Sequence, residues 1–332
     1  MNRTDAIDQF LAASGWGGAR RTMLAGDASF RKYERVFLGE KSAVLMDAPP
    51  DKEDIRPFMK AAEYLTQTGL SAPQILASDE AHGFLLLEDL GDDLFARVME
   101  KHPETERELY LAATEVLVTL YKDAKAGGVN PFEPFSIEKM LQQVALLPEW
   151  FMPFVSGASC PEEIKQEYLD IWRRTLAKLP ALQQVTVIYD YHAENLLWLP
   201  GREGVAKAGL LDFQDAMLGS PAYDLVSILE DVRRDITSDT VQHALDYYLE
   251  KTGIAREEFM AAYHMMGAQR NCRIAGTFAR LYVRDHKPRY LTFMPRVWRL
   301  IEKDVSHPLM AEVRQWLDTH IKREWRQLRV AA

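Results

Sequence analysis

Cysteine is scarce in this chain: Cys160 and Cys272 are the only two in 332 residues. Two thiols so far apart exclude a disulfide framework and a cysteine metal motif, and they fit a reducing compartment. Positive charge is also in deficit. Forty Lys plus Arg stand against 49 Asp plus Glu, a net charge of −9, so the basic excess of a nucleic-acid binder is missing. No uncharged run reaches the roughly 18 apolar residues of a membrane span. The opening MNRTDAIDQFLAASGW carries charges where a signal peptide has its apolar core. No Gly-x-x-x-x-Gly-Lys-Ser/Thr occurs, which sets aside a P-loop. Repeats and low-complexity stretches are absent. The expectation is a cytoplasmic protein, a monomer, with neither nucleic acid nor membrane as partner.

What is present is a globular composition, 47% apolar and 27% charged, over a length that exceeds one ordinary core. Residues 4–14 read as a helix with Thr4 as N-cap. The runs Phe30–Leu38 and Ala43–Asp47 flank GEKS (39–42) and predict a β-hairpin. A Gly-containing turn, AGDAS (25–29), precedes it. DIRPFMKAAEYLTQTGL (54–70) has helical spacing and ends at a glycine. Gln74–Ser78 and Gly83–Glu88 read as strands. EDLGDD (88–93) is polar and glycine-containing, so the lobe boundary is placed there. Beyond it helical patterns dominate, apart from two short apolar runs. The fold class is therefore α+β: a small antiparallel sheet with one main helix over 1–90, and a larger, mostly helical lobe over 91–332.

The two apolar runs carry the chemistry. VTVIYDYHAENLLWL (185–199) stops its first run at Asp190 and places Asn195 five residues later. GLLDFQDA (209–216) ends its run at Asp212. Loops at strand ends deliver polar side chains from a fixed base. Two carboxylates and an amide oxygen are hard ligands of the kind Mg²⁺ takes while it shares substrate phosphates. One Asp left off the metal can serve a hydroxyl as base. That is the equipment of phosphoryl transfer, which needs positioning and charge neutralisation more than covalent help. Each Asp taken alone also reads as a cap or turn former.

The D-x-H-x-x-N at 190–195, followed by LLDFQDA, resembles the aminoglycoside phosphotransferase and choline kinase-like family, small-molecule relatives of protein kinases. EDLGDDL resembles its hinge and GSPAYDLVSIL (219–229) the helix after its metal loop. Within the family, GDASFRKYERV, VLMDAPP and FARLYVRDHKPRYLTFMPRV look most like sugar kinases acting on the anomeric hydroxyl of N-acetylmuramate and N-acetylglucosamine. The resemblance implies a bilobal protein-kinase-like fold and a small-molecule acceptor, with ATP and Mg²⁺ as cofactors. It implies Asp190 as catalytic base, Asn195 and Asp212 as metal ligands, and His192 and Asp224 as supports of the catalytic loop. Gly26, Asp27 and Ser29 would cover the phosphates. Glu63, Glu88, Asp89 and Leu90 would complete the nucleotide site.

Two positions depart from the family pattern. Ile188 stands where a His usually precedes the catalytic Asp. Met46 or Asp47 stands where the third strand carries a phosphate-binding Lys, so another cation must meet the phosphates. Arg31 is the candidate, beside Lys32 and Lys41, and a solvated strand face is the other reading for it.

On the acceptor side, a helix over 263–285 brings Arg270, Arg273, Arg280 and Arg284 within about 80° of one another. The stripe answers either the acidic run 230–239 through surface ion pairs or an anionic substrate group, with Arg270 and Arg273 foremost. Trp150 in LLPEWFMPFV reads as a sugar-stacking ring or a core corner, and Asp215 as a sugar contact or a residue that supports the site from behind. An aminoglycoside or choline-type acceptor, and a catalytically weak nucleotide-binding regulator, are the competing readings.

Overall fold

The computed structural model of the chain describes residues 2–24 and 30–327. In chain order the elements are α1 (Arg3–Ala13), β1 (Arg20–Met23), β2 (Lys32–Leu38), β3 (Lys41–Asp47), α2 (Arg56–Gln67), β4 (Ile75–Asp79), β5 (Phe84–Glu88), α3 (Phe95–Lys101) and α4 (Glu106–Lys125). There follow α5 (Ile137–Val144), α6 (Met152–Ser156), α7 (Glu162–Leu176), β6 (Val185–Val187), β7 (Leu196–Trp198), β8 (Ala208–Leu210) and β9 (Met217–Gly219). The chain closes with α8 (Ala222–Leu229), α9 (Ser238–Thr252), α10 (Arg256–Val283), α11 (Met294–Asp304), α12 (Ala311–His320) and α13 (Arg323–Arg326). Two compact units emerge, Met1–Thr119 with Ala193–Ala216, and Leu120–His192 with Met217–Ala332.

The first unit is built on a five-stranded sheet in the order β1-β2-β3-β5-β4, antiparallel throughout. Gly39, at φ 60°, makes the tight β2–β3 turn that sets Leu38 opposite Lys41. Strand alternation sorts the side chains. Val36, Ala43, Leu45, Phe84 and Leu86 pack against Ile7, Phe10 and Leu11 of α1. Arg35, Val44, Met46 and Leu87 therefore lie on the opposite face.

Three expectations change here. The N-cap of α1 is Asn2, whose side chain accepts the Asp5 N–H at 2.9 Å. Thr4 is already inside the helix. The first strand of the predicted hairpin starts at Lys32, and Phe30 is exposed, with the Lys52 ammonium 4.9 Å from its ring. The strand β1 was not anticipated, because RRTM is an exposed edge strand without the alternation of a half-buried one.

The β7–β8 hairpin belongs to this unit and is tied into it. The Leu210 N–H donates to the Ser71 carbonyl at 2.9 Å, and the Trp198 N–H to the Asp93 carbonyl at 2.7 Å. Arg202, in the hairpin loop, bonds Glu88 at 2.5 Å and the Ser71 hydroxyl at 2.7 Å.

In the second unit, the 28 residues of α10 run through the core, flanked by α8, α11 and a π-helical turn at Leu147–Phe151. Gly276 permits the closest approach. A Cβ there would sit 2.3 Å from the Leu146 carbonyl oxygen. The short strands β6 and β9 pair antiparallel; β6 leads into the loop that carries Asp190 and β9 into α8.

Candidate active site

Pairing of Leu196 with Leu210 leaves Asn195 and Asp212 at the same end of the β7–β8 hairpin. The Leu211 N–H donates to the Asn195 carbonyl at 3.0 Å, and the Asn195 amide lies 3.4 Å from the Asp212 carboxylate. Asp212 has φ 56°, a left-handed conformation that a short polar side chain tolerates. Gln214 donates to the other Asp212 oxygen at 2.9 Å. Next door, Phe213 is fully buried, 4.9 Å from Phe58 of α2. The chain around the carboxylate is thus pinned from both sides. An Asp carboxylate and an Asn amide oxygen are hard donors of the kind Mg²⁺ takes, although the Asn195 contact to Asp212 is made through the amide nitrogen. Among the described residues no cluster of three His, Cys, Asp or Glu could hold a metal by itself. A magnesium shared with substrate phosphates needs no such cluster.

In the second unit the loop after β6 is held by Asp224, in the first turn of α8. Its carboxylate accepts the Ile188 N–H at 2.5 Å and the Tyr189 N–H at 3.0 Å. Ile188 itself is buried in the core. Burial pushes the Asp224 carboxyl up to about 7, against the pull of the two N–H groups, and the charge of Asp190 adds to the rise. The folded value lies above the unfolded one of 3.8. The associated stability is therefore fully present below pH 3.8 and is lost as pH rises through about 7. We expect Asp224→Asn to remove this part of the pH dependence between those limits, read by urea unfolding at a series of pH values. Identical slopes in both proteins would refute it.

Tyr189, directly before Asp190, has φ 83°. For a bulky residue that conformation costs on the order of 1–3 kcal/mol and persists only where the surroundings impose it. Its ring stacks on Tyr223 at 5.7 Å and 3°. The Arg273 guanidinium lies 4.5 Å from the ring and bonds the phenol oxygen. Gln143 of α5 donates to the same oxygen at 2.8 Å. Burial works against the Arg273 cation, but Tyr223, Tyr189 and Asp190 outweigh it and raise its pKa. Asp190 itself is half-buried. His192 is buried, and burial, with Arg233 next in weight, pushes its pKa down to about 3. It is a neutral imidazole at neutral pH.

The arginine stripe divides. Arg270 is buried and donates to the Glu230 carbonyl at 3.4 Å, and burial lowers its pKa. It meets the acidic run in the interior, so the expectation of surface ion pairs is corrected for it. Arg284 lies past the end of α10 and pairs with Asp285 at 2.7 Å. The aromatic stretch is largely a core corner: Phe151 packs 5.1 Å from Trp298, and Phe154 lies 5.2 Å from Tyr282. Trp150 between them is half-buried.

The described nucleotide-site candidates lie in the first unit. Gly26, Asp27 and Ser29 fall outside the described residues. Arg31 has its Nε 3.8 Å from Glu53. Asp47, where the strand Lys was looked for, is paired with Arg3 of α1 at 2.9 Å, and Met46 is buried. Glu63 is exposed and accepts from Gln67 at 3.2 Å. The carboxylate of Glu88 is taken by Arg202, and Asp89 pairs with Arg35 at 2.9 Å. Leu90 is half-buried and Asp215 exposed.

The family model described as "Phosphotransferase enzyme family" matches residues 21–263. The chain belongs to this family. The phosphotransferase is 38% identical to the N-acetylmuramate/N-acetylglucosamine kinase of Caulobacter vibrioides, over 98% of each chain. It is 36% identical to the kinase of the same name from Pseudomonas aeruginosa, over 94% of this chain and 92% of that one. A choline/ethanolamine kinase family protein from Mesorhizobium loti superposes with a TM-score of 0.63 at 16% identity, covering 96% of this phosphotransferase and 100% of itself. That likeness shows the protein-kinase-like α+β fold. The phosphotransferase is accordingly a small-molecule kinase.

Tyr189, Gln143, Gln214 and Arg202 escaped the sequence reading. The partners of Tyr189, Gln143 and Arg202 lie far along the chain, whereas Gln214 bonds Asp212 only two positions away.

Proposed function

We propose that this phosphotransferase moves the γ-phosphoryl group of ATP to the anomeric hydroxyl of N-acetylmuramate and N-acetylglucosamine. The observation that carries the acceptor is the full-length likeness to kinases named for those two sugars. Asp190 takes the hydroxyl proton as the acceptor oxygen bonds to the γ-phosphorus and the bond to the β-phosphate oxygen breaks, releasing ADP. Asn195 and Asp212 hold Mg²⁺, which neutralises phosphate charge. The backbone of Gly26, Asp27 and Ser29, with Arg31, covers the phosphates, and Glu88, Asp89 and Leu90 line the adenine side mainly through backbone. Glu63 of α2 would complete the nucleotide site. Arg270, Arg273, Trp150 and Asp215 form the acceptor side, where Arg273 carries the cation for an anionic group such as the lactyl carboxylate of N-acetylmuramate. His192 and Asp224 support the catalytic loop.

The test is a coupled ADP-release assay with Mg·ATP against N-acetylmuramate, N-acetylglucosamine, kanamycin and choline, with ³¹P NMR of the products. Turnover of the two sugars with phosphate on the anomeric carbon is expected. Turnover of kanamycin or choline alone would overturn the acceptor. Silence on all four with ATP bound would favour a nucleotide-binding regulator.

A further inference from the structure

Tyr189 occupies a left-handed backbone position that glycine would take without strain. Its two chain neighbours do not require a side chain there, since the loop is held through the backbone N–H groups that Asp224 accepts. What a glycine would lose is the ring and its hydroxyl. The ring is gripped by four residues from three segments. Tyr223 of α8 stacks on it, and Phe135 meets it edge-on at 6.2 Å. Gln143 of α5 and Arg273 of α10 both donate to the hydroxyl. Gln143 is in turn fixed by Gln269 of α10, which donates to its amide oxygen at 3.0 Å. The side chain just before Asp190 is thus the one through which three helices hold the loop, and it is kept despite an unfavourable backbone.

We infer that Tyr189 is a positioning residue for phosphoryl transfer: its ring, clamped by Tyr223, Arg273 and Gln143, sets the direction in which Asp190 faces the acceptor hydroxyl. The inference rests on the proposed role of Asp190 as base. Arg273 then acts in two ways, as a cation on the acceptor side and as the group that locks the phenol. Loss of the hydroxyl releases the ring from α5 and α10 but leaves the stack on Tyr223. Loss of the ring also removes the stack on Tyr223, so that the loop is held through the backbone bonds to Asp224, while the backbone becomes relaxed. Orientation of a base acts on the chemical step, so the effect belongs in kcat.

The experiment compares wild type, Tyr189→Phe and Tyr189→Gly in the ADP-release assay, with kcat divided by the concentration of sites that bind a fluorescent ATP analogue. We expect kcat per site to fall about tenfold in Tyr189→Phe and about a hundredfold in Tyr189→Gly, with nucleotide affinity within about twofold. A purely structural role would lower the number of binding sites and the Tm, and would leave kcat per site unchanged. That result would overturn the inference, as would a Tyr189→Gly enzyme within about threefold of wild type. The comparison is run on whichever acceptor the wild type phosphorylates. A wild type active only on another acceptor therefore refutes the amino-sugar reading while the variants still decide the role of Tyr189. Wild-type silence on every acceptor sinks both.

Discussion

Asp190→Asn is expected to lower kcat about a thousandfold and to leave nucleotide affinity and Tm close to wild type. The amide keeps the size of the carboxylate but accepts no proton, so on the proposed role of Asp190 the acceptor hydroxyl would attack without a base. The loop should keep its shape, because what holds it are the two N–H bonds to Asp224 and the grip on the Tyr189 ring. The charge of Asp190 helps raise the Asp224 carboxyl, so its removal should also lower the pKa of Asp224 and weaken the pH dependence of stability described above. ADP release, nucleotide titration and thermal unfolding read the three quantities separately. Wild-type turnover in this variant would place the base elsewhere.

Asp212→Asn is expected to remove magnesium-dependent turnover almost entirely. Asparagine is the informative replacement because it tolerates the φ of 56° found there. Alanine at the same position adds backbone strain of about 1–2 kcal/mol and would confuse a folding defect with a metal defect. The variant keeps the neighbouring anchor, the buried Phe213 against Phe58, and on the proposed role of Asp212 would exchange one charged ligand for a neutral one. Magnesium titration of the reaction should shift to at least about tenfold higher concentration, the cost of a lost charged ligand in this kind of site. An unchanged magnesium midpoint would mean that the metal is held by other residues.

The fold class and the short strands that carry Asp190, Asn195 and Asp212 were legible from the chain, and for one reason. Each rests on a local pattern: apolar alternation that ends at a carboxylate, an amide at a fixed spacing, a glycine in a turn. The hairpin β2–β3 and helix α2 follow the same rule and differ from expectation by only a few residues at their ends. Local pattern fails where the partner is distant. The edge strand β1 gains its pairing from residues 34–37 and has no periodicity of its own. The fate of Asp47 was decided by Arg3, more than forty positions away in sequence but adjacent once α1 packs on the sheet.

The arginines of α10 show the same division. Their shared face is a matter of helical geometry and was readable. Which of them meets a carbonyl, which a phenol and which its own neighbour depended on the elements packed alongside. The chain by itself determined the chemical equipment of this phosphotransferase, because strand ends and spacings are short-range properties. Only the tertiary structure decided how the loop before Asp190 is held, because the strained backbone of Tyr189 is stabilised by side chains from three helices. The sum of those contacts exists only in the folded unit.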